Sequence, residues 1–207
     1  MKQLKLIFLL VLISITGVQT FAHDIAVANN GKTIYYVFTN NNTELSVSFR
    51  GSKPLEYADE YKGSIVIPSS VYYNGTTYPV TSIGDIAFRE CSSLTSVTIP
   101  SSVTSIGWIA FKDCSSLSTV VIPNSVTHIS YGAFEGTALL NKMGNGIVYY
   151  NNVMLGYKGD KPTGIINIKE GTRLVAEGAF SGCSGLTSII IPNSLTHIGA
   201  QSFNGCI

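Results

Sequence analysis

The segment Cys91–Gly107 reads CSSLTSVTIPSSVTSIG, and Cys114–Ser130 repeats it 23 positions later as CSSLSTVVIPNSVTHIS. A third copy, Cys183–Gly199, reads CSGLTSIIIPNSLTHIG. A repeat of this length is typical of solenoids, in which each unit can bury its apolar side only against its neighbours. The repeat therefore predicts a β-rich solenoid of stacked coils.

Within each copy, apolar residues follow the spacing L-x-x-L-x-L and then meet a proline. The last two alternate as in a strand, and proline ends the strand because it cannot donate to the ladder. We therefore expect parallel, in-register strands with inward apolar residues that include Ile191 and the later Ile198. The predicted strands are Leu94–Ile99, Leu117–Ile122, Ile165–Ile168 and Leu186–Ile191.

A phenylalanine follows a small residue at the same place in successive copies. These residues are Phe88, Phe111, Phe134 and Phe180, with Phe203 in the last copy. Equivalent residues of stacked coils lie above one another, so the first four are predicted to form one buried ladder.

The four cysteines, Cys91, Cys114, Cys183 and Cys206, also share one repeat position. Equivalent residues on adjacent coils are about 4.8 Å apart with parallel Cβ bonds. A disulfide needs converging Cβ atoms about 3.8 Å apart. The pattern favours buried free thiols, although an even number of cysteines in a secreted protein ordinarily suggests disulfides.

Three departures from the repeat are typical of β-hairpins. Asn74-Gly75 predicts a hairpin turn within residues 71–79. A second hairpin, within residues 144–163, is predicted to turn at Asn151-Asn152 between Ile147–Tyr150 and Val153–Tyr157. A third, formed by Thr33–Phe38 and Leu45–Phe49, is expected to cap the first coil, since an open end would expose apolar surface.

The chain begins with basic Lys2 and Lys5, an apolar run over Leu6–Ile15, and Ala22 at a suitable cleavage position. This pattern indicates a secretory signal peptide, with an uncleaved anchor as the alternative. The predicted division is a signal peptide at 1–22, a β-hairpin cap at 23–62 and a repeat domain at 63–207, truncated in its last repeat. A secreted, extracellular or cell-surface location follows, with the periplasm also possible and no membrane span expected after cleavage.

The combined pattern L-x-x-L-x-L-P … I-G-x-x-A-F-x-x-C resembles the BspA-like leucine-rich repeats, also called the Treponema pallidum type. The resemblance runs from about Gly63 to the end of the chain. It implies a right-handed leucine-rich repeat solenoid with a parallel concave sheet. It also implies a secreted or surface protein of Bacteroides-like bacteria, a class in which some members serve in adhesion.

The sequence offers no catalytic or metal site, and we expect neither enzyme activity nor a cofactor. It contains no phosphate-binding loop, zinc signature or nucleophile elbow. His128 and His197 recur at equivalent places and are interpreted as turn residues on the surface. Charged residues make up 12% of the chain and the formal net charge is +1, which argues against a nucleic-acid partner.

Two sets of residues are candidates for binding. The outward strand positions of the concave sheet are Ser96, Thr98, Thr119, Val121, Ile165, Asn167, Ser188 and Ile190. The exposed aromatic candidates are Trp108, Tyr131, Tyr149, Tyr150 and Tyr157. The alternatives are ordinary half-exposed sheet residues for the first set and packing beneath an inserted hairpin for Trp108 and Tyr131.

These features favour a binding or adhesion module for a host or bacterial surface protein or glycan. The first alternative is a structural protein that self-associates through the open coil at Leu195–Ile207. The second is a secreted glycan-handling enzyme or its accessory.

Overall fold

The computed structural model describes residues 23–29, 31–51 and 59–206. The predicted signal peptide therefore lies outside the described residues. The regular secondary structure of the described chain consists almost entirely of short strands, as the predicted solenoid requires.

The chain starts with an antiparallel meander of three strands. They are β1 (Ile25–Asn29), β2 (Lys32–Thr39) and β3 (Glu44–Ser48). The predicted cap hairpin is β2–β3, which turns at Asn40–Asn42 with φ of 47° to 64°. Strand β1 was not predicted.

The first insertion is also a hairpin, as predicted. Its neighbourhood contains β4 (Gly63–Val66), β5 (Ser70–Tyr73) and β6 (Thr76–Ile83). Asn74 and Gly75 have φ of 47° and 84°, the left-handed geometry of a tight hairpin turn. Strand β6 then pairs in parallel with β3, so the cap continues directly into the solenoid.

The next two coils contribute one strand to each of two parallel rows. These strands are β7 (Leu94–Thr98), β8 (Ser105–Ile106), β9 (Thr119–Val121) and β10 (His128–Ile129). The first row runs β4–β7–β9 and contains the strands predicted to form the concave sheet. The second row runs β3–β6–β8–β10. Residues 23 positions apart lie opposite each other in both rows, between β7 and β9 in the first and between β8 and β10 in the second.

The predicted continuous concave sheet is interrupted after β9. At this place the next coil forms the helix α1 (Ala138–Asn141), whose first turn is capped by Thr137. The Thr137 hydroxyl accepts a hydrogen bond from the Leu140 N–H and donates one to the Phe134 carbonyl. Alanine and leucine after a threonine cap favour a helical turn over a strand.

After α1 the second predicted hairpin follows, and the solenoid resumes. The remaining strands are β11 (Gly146–Tyr150), β12 (Val153–Lys158), β13 (Gly164–Asn167), β14 (Leu174–Val175), β15 (Leu186–Ile190) and β16 (His197–Ile198). The hairpin β11–β12 is as predicted. Strand β12 also pairs in parallel with β14, which pairs with β16, so the insertion supplies one strand of the second row. In the first row, β13 and β15 form a separate two-stranded sheet.

A third row consists of the turns that carry the phenylalanines, and backbone hydrogen bonds join these turns. The N–H of Phe88 donates to the Ala110 carbonyl at 2.8 Å, and Phe111 donates in the same way to Ala133. Phe180 donates to Ser202, also at 2.8 Å. In these pairs, a turn therefore gives N–H groups to the turn of the next coil.

The phenylalanines form two stacks, so the prediction of one ladder is wrong. Phe88, Phe111 and Phe134 stack with ring centroids 4.9 and 5.3 Å apart. Phe180 stacks on Phe203 at 5.5 Å and belongs to a separate core. The reason is the intervening coil, which continues as strand β12 and does not form the usual turn.

The thiol prediction is confirmed. Cys91, Cys114 and Cys183 are buried and free, and Cys206 is free and half-buried. Two thiols donate to the carbonyl of the phenylalanine in the preceding coil of their stack. Cys114 donates to Phe88 at 2.8 Å, and Cys206 donates to Phe180 at 3.1 Å. Burial raises the pKa of the Cys91 thiol to about 12, so it remains protonated at neutral pH.

Two apolar residues of the last coil are exposed, so the expectation that they face inward is wrong. Ile191 is 53% exposed and Ile198 is 47% exposed, although both were predicted to face inward. Their counterparts Ile99 and Ile106 are buried because another coil covers them. Within the described residues, no further coil stacks on the last one.

Candidate functional site

The exposed side chains of the first strand row form what we call the concave face. It comprises the eight predicted positions Ser96, Thr98, Thr119, Val121, Ile165, Asn167, Ser188 and Ile190, together with Val66. All are exposed except Ser96, which is half-buried and donates its hydroxyl hydrogen to the Ser64 hydroxyl at 2.8 Å. Val66 was missed because the L-x-x-L-x-L pattern is incomplete in its coil.

The concave face contains two patches because the first strand row is interrupted. In the first patch, Val66 pairs with Thr98 and Thr98 with Val121. In the second, Ile165 pairs with Ser188 and Asn167 with Ile190. The four aliphatic residues Val66, Val121, Ile165 and Ile190 are 50–65% exposed. The strands of this row contain no ionisable residue.

Trp108 and Tyr131 are exposed on neighbouring turns, at 49% and 55%. Their turns are joined by a hydrogen bond from the Ile109 N–H to the Tyr131 carbonyl. Their rings do not contact each other among the described aromatic pairs. Trp108 is fixed through its backbone N–H, which donates to Asp85 Oδ1 at 2.7 Å.

Tyr131 instead leans towards the turn of Phe180. Its ring lies over Gly178, where an added Cβ would come within 2.7 Å of Tyr131 Cδ2. Gly178 also has a φ of +67°, a conformation that favours glycine. The close contact therefore depends on glycine at this position.

The other three tyrosine candidates are half-buried, and their side chains are engaged within the fold. The Tyr150 hydroxyl accepts from the Val120 N–H at 3.1 Å and donates to the Val120 carbonyl at 2.9 Å. The Tyr149 hydroxyl accepts from the Lys169 N–H. The Tyr157 side chain lies beside the Cys183 thiol. A role in binding for these three residues stays a prediction.

Sequence analysis did not identify a cleft of about 570 Å³ between the turns of Phe134 and Phe180. Strand β12 forms part of its lining. Side chains at its border include Tyr131, Glu135, Leu155, Tyr157, Glu177 and Gln201. The cleft occupies the place of the turn that the intervening coil does not form. The 46-residue interval between Phe134 and Phe180, twice the repeat length, was the signal in the sequence.

Two carboxylates give the cleft an acidic border. Glu135 Oε2 lies 2.9 Å from the Lys112 ammonium, and its side chain is 56% exposed. Glu177 Oε2 lies 3.7 Å from His128 Nε2, and His128 Nε2 also lies 3.1 Å from the Ser130 hydroxyl. Because Glu135 is already paired with Lys112, Glu177 is the carboxylate that can attract a further basic group.

The described residues contain no group of three histidine, cysteine or acidic side chains placed to hold a metal ion. His128 has the neighbours given above, and the exposed His197 contacts the hydroxyl of Thr196. His128 faces both the Ser130 hydroxyl and Glu177, but both contacts are made by Nε2, whereas a nucleophile–base–acid arrangement uses a different ring nitrogen for each partner. The expectation that the chain is not an enzyme stays a prediction.

The family described as BspA type leucine rich repeat region matches residues 64–144 and 158–207 in six copies. These ranges cover more than half of the chain. The chain belongs to the BspA-type leucine-rich repeat family. The gap between the two ranges coincides with the hairpin β11–β12, where the repeat is interrupted.

Solved structures with similarity to this chain include other bacterial leucine-rich repeat proteins. The T. pallidum protein TpLRR is 25% identical, with a TM-score of 0.47, over 84% of this chain and 64% of that one. A protein from Bacteroides ovatus is 29% identical, with a TM-score of 0.48, over 84% and 43%. A leucine rich cell surface protein from Faecalibacterium prausnitzii is 24% identical, with a TM-score of 0.46, over 88% and 46%.

This chain thus spans less than two thirds of the length of these structures. No protein with a curated description matches it. Among the described residues, no helix has the length and apolar character needed to span a bilayer.

Proposed function

We propose that this protein is a secreted or surface-displayed binding module that captures a protein or glycan through its concave face. The observation that carries the proposal is the set of exposed aliphatic side chains, Val66, Val121, Ile165 and Ile190. Aliphatic side chains gathered on an exposed surface favour contact with a partner, because burial removes them from water.

The construction of the face supports this role. Its side chains stand on parallel strands held in register, so they are ordered before a partner arrives. Serine, threonine and asparagine hydroxyls and amides between the aliphatic residues offer hydrogen bonds to either a protein or a sugar. Because no ionisable residue lies on these strands, binding is expected to depend little on salt.

The proposed location rests on the first 22 residues, whose composition is that of a secretory signal. It is also consistent with the description of the F. prausnitzii relative as a cell surface protein. Adhesion to a host or to another bacterium is the use that we propose for such a displayed surface.

The test begins by screening matrix proteins and glycans for binding to the immobilised protein. The double variant Val121→Lys with Ile165→Lys places one charge on each patch of the concave face and should weaken binding at least tenfold. Trp108→Ala with Tyr131→Ala is the control on a different surface. If the lysine variant is folded by circular dichroism and binds normally, the concave face is not the site.

A second candidate function is self-association, which the exposed Ile191 and Ile198 favour. Both lie on the last described coil, where β15 and β16 are also the outer strands of their sheets. Exposed strand edges beside apolar side chains can pair with another copy. Sedimentation of the wild type against Ile191→Lys tests this, and a concentration-independent monomer for the wild type would reject it.

A further inference from the structure

The third row, formed by the turns that carry the phenylalanines, which we call the turn row, has no backbone hydrogen bonds across the cleft between described residues. In the ladder of turns, the N–H groups of Phe88, Phe111 and Phe180 all donate to the next turn. Within the part of the chain that is described, the equivalent N–H of Phe134 has no partner, and neither has that of Gly132. Both residues line the cleft.

The turn of Phe134 forms one wall of the cleft, and the turn of Phe180 forms the opposite wall. On this opposite wall, carbonyl groups lack hydrogen-bond donors from the described residues. In the ladder, the carbonyls of Trp108, Ala110 and Lys112 accept from the preceding turn. Their equivalents are the carbonyls of Glu177, Ala179 and Ser181, and none of these three accepts a hydrogen bond from another described residue. All three residues line the cleft. One wall therefore offers donors and the other offers acceptors.

The two walls remain fixed relative to each other. The Glu177 N–H donates to the Ile129 carbonyl at 2.9 Å, which joins the two coils at one end of the cleft. Tyr131 packs on Gly178 near the same end. Strand β12 forms the floor of the cleft. Its residue Gly156 lies next to Ala179, and a Cβ added to Gly156 would be 3.5 Å from the Ala179 carbonyl oxygen.

We propose that this cleft binds a short peptide segment of a partner protein, whose backbone enters as the missing turn. A peptide chain has alternating C=O and N–H groups, and these match a donor wall and an acceptor wall at once. The volume of about 570 Å³ suits a segment of a few residues. Glu177 on the border, which faces the imidazole of His128 and forms no ion pair with a lysine or arginine among the described residues, favours a segment with a basic residue.

This site is separate from the concave face and does not depend on the function proposed above. The inferred occupant is a segment of a different protein. Insertion of a turn from a second copy of this chain is the competing outcome that the experiment must distinguish.

The probe is a labelled peptide with the sequence GWIAFKD, which copies Gly107–Asp113 and hence one complete turn. Fluorescence anisotropy should show saturable binding to the full protein. N-methylation at the nitrogen corresponding to Phe111 removes the donor aimed at Ala179 and should weaken binding at least tenfold. N-methylation at the nitrogen corresponding to Trp108, which is not a ladder donor, should change affinity less than threefold.

A matched pair of protein variants locates the binding. Ser181→Phe places a large side chain in the cleft and should abolish peptide binding, whereas Asn204→Phe makes the same change at the equivalent, exposed position of the next turn. Val121→Lys with Ile165→Lys changes only the concave face and should leave peptide binding intact. A failure of the concave-face proposal can therefore be told apart from a failure of this one.

Three results would overturn the proposal: no binding at millimolar peptide, equal affinity of the two methylated peptides, or normal peptide binding by a folded Ser181→Phe variant. Concentration-dependent dimers of the wild type that Ser181→Phe abolishes would also overturn it, because the occupant would then be a second copy.

Discussion

The repeated phenylalanine and cysteine act together as one unit of the core. The phenylalanine ring stacks on its neighbours, and its carbonyl accepts the thiol hydrogen of the next coil, as in the Phe88–Cys114 and Phe180–Cys206 contacts. In the coil that has Thr137 at this position, the hydroxyl bonds to its own Phe134 and starts a helix. At this repeat position, threonine in place of cysteine thus accompanies both a different hydrogen bond and a different local structure.

Glu60 is expected to make stability depend on pH. Its carboxylate accepts from the Arg50 N–H at 2.9 and 3.0 Å, yet burial raises its pKa to about 7. A raised pKa means that the folded state binds this proton more tightly, so the stabilisation is complete below the unfolded pKa of about 4.3. It is lost as the pH rises through about 7.

We therefore expect the melting temperature to fall between pH 5 and pH 8. Glu60→Gln keeps the shape of the side chain and removes its charge, so it should reduce this fall and stabilise the protein at pH 8. Differential scanning calorimetry of both proteins at the two pH values measures the effect. An equal fall in wild type and variant would show that Glu60 does not cause it.

The hairpin β11–β12 closes the edge that the helix α1 leaves open. Strand β9 is the last strand of its sheet, and the Tyr150 hydroxyl pairs with both the N–H and the carbonyl of Val120. A side chain thereby replaces the missing neighbouring strand at this residue, which protects an otherwise open edge.

Tyr150→Phe should destabilise the protein by about 1–3 kcal/mol, because it leaves both backbone groups of Val120 without their partner. Tyr72→Phe is the control, since Tyr72 is 61% exposed on another hairpin. Urea denaturation of the two variants measures the difference. A loss for Tyr150→Phe no larger than that for Tyr72→Phe would contradict the assigned role.

The elements that could be predicted from the sequence are those determined by local or periodic chemistry. Asn74-Gly75 and Asn151-Asn152 identified the two inserted hairpins, and the period identified the paired strands. The helix α1 is only four residues long, too short for a periodic signal. The exposure of Ile191 depends on which coil covers it, which its own repeat does not specify.

The whole molecule is one repeat array divided into two stacks by an irregular coil. The first stack includes the cap and ends with Phe134, and the second contains Phe180 and Phe203. The concave face was predicted because strand alternation indicates which side chains point outward. The cleft was not, because it results from a turn that is missing rather than from a motif that is present.

The claim that the turn row is broken at the cleft can be tested by amide hydrogen exchange, measured residue by residue with NMR. Phe88, Phe111, Phe134 and Phe180 occupy equivalent positions with buried rings, but only the Phe134 N–H lacks a hydrogen-bond partner among these four. We predict that the Phe134 amide exchanges faster than the other three by roughly tenfold or more. Equal protection of all four amides would mean that the ladder of turns is continuous and would contradict the account.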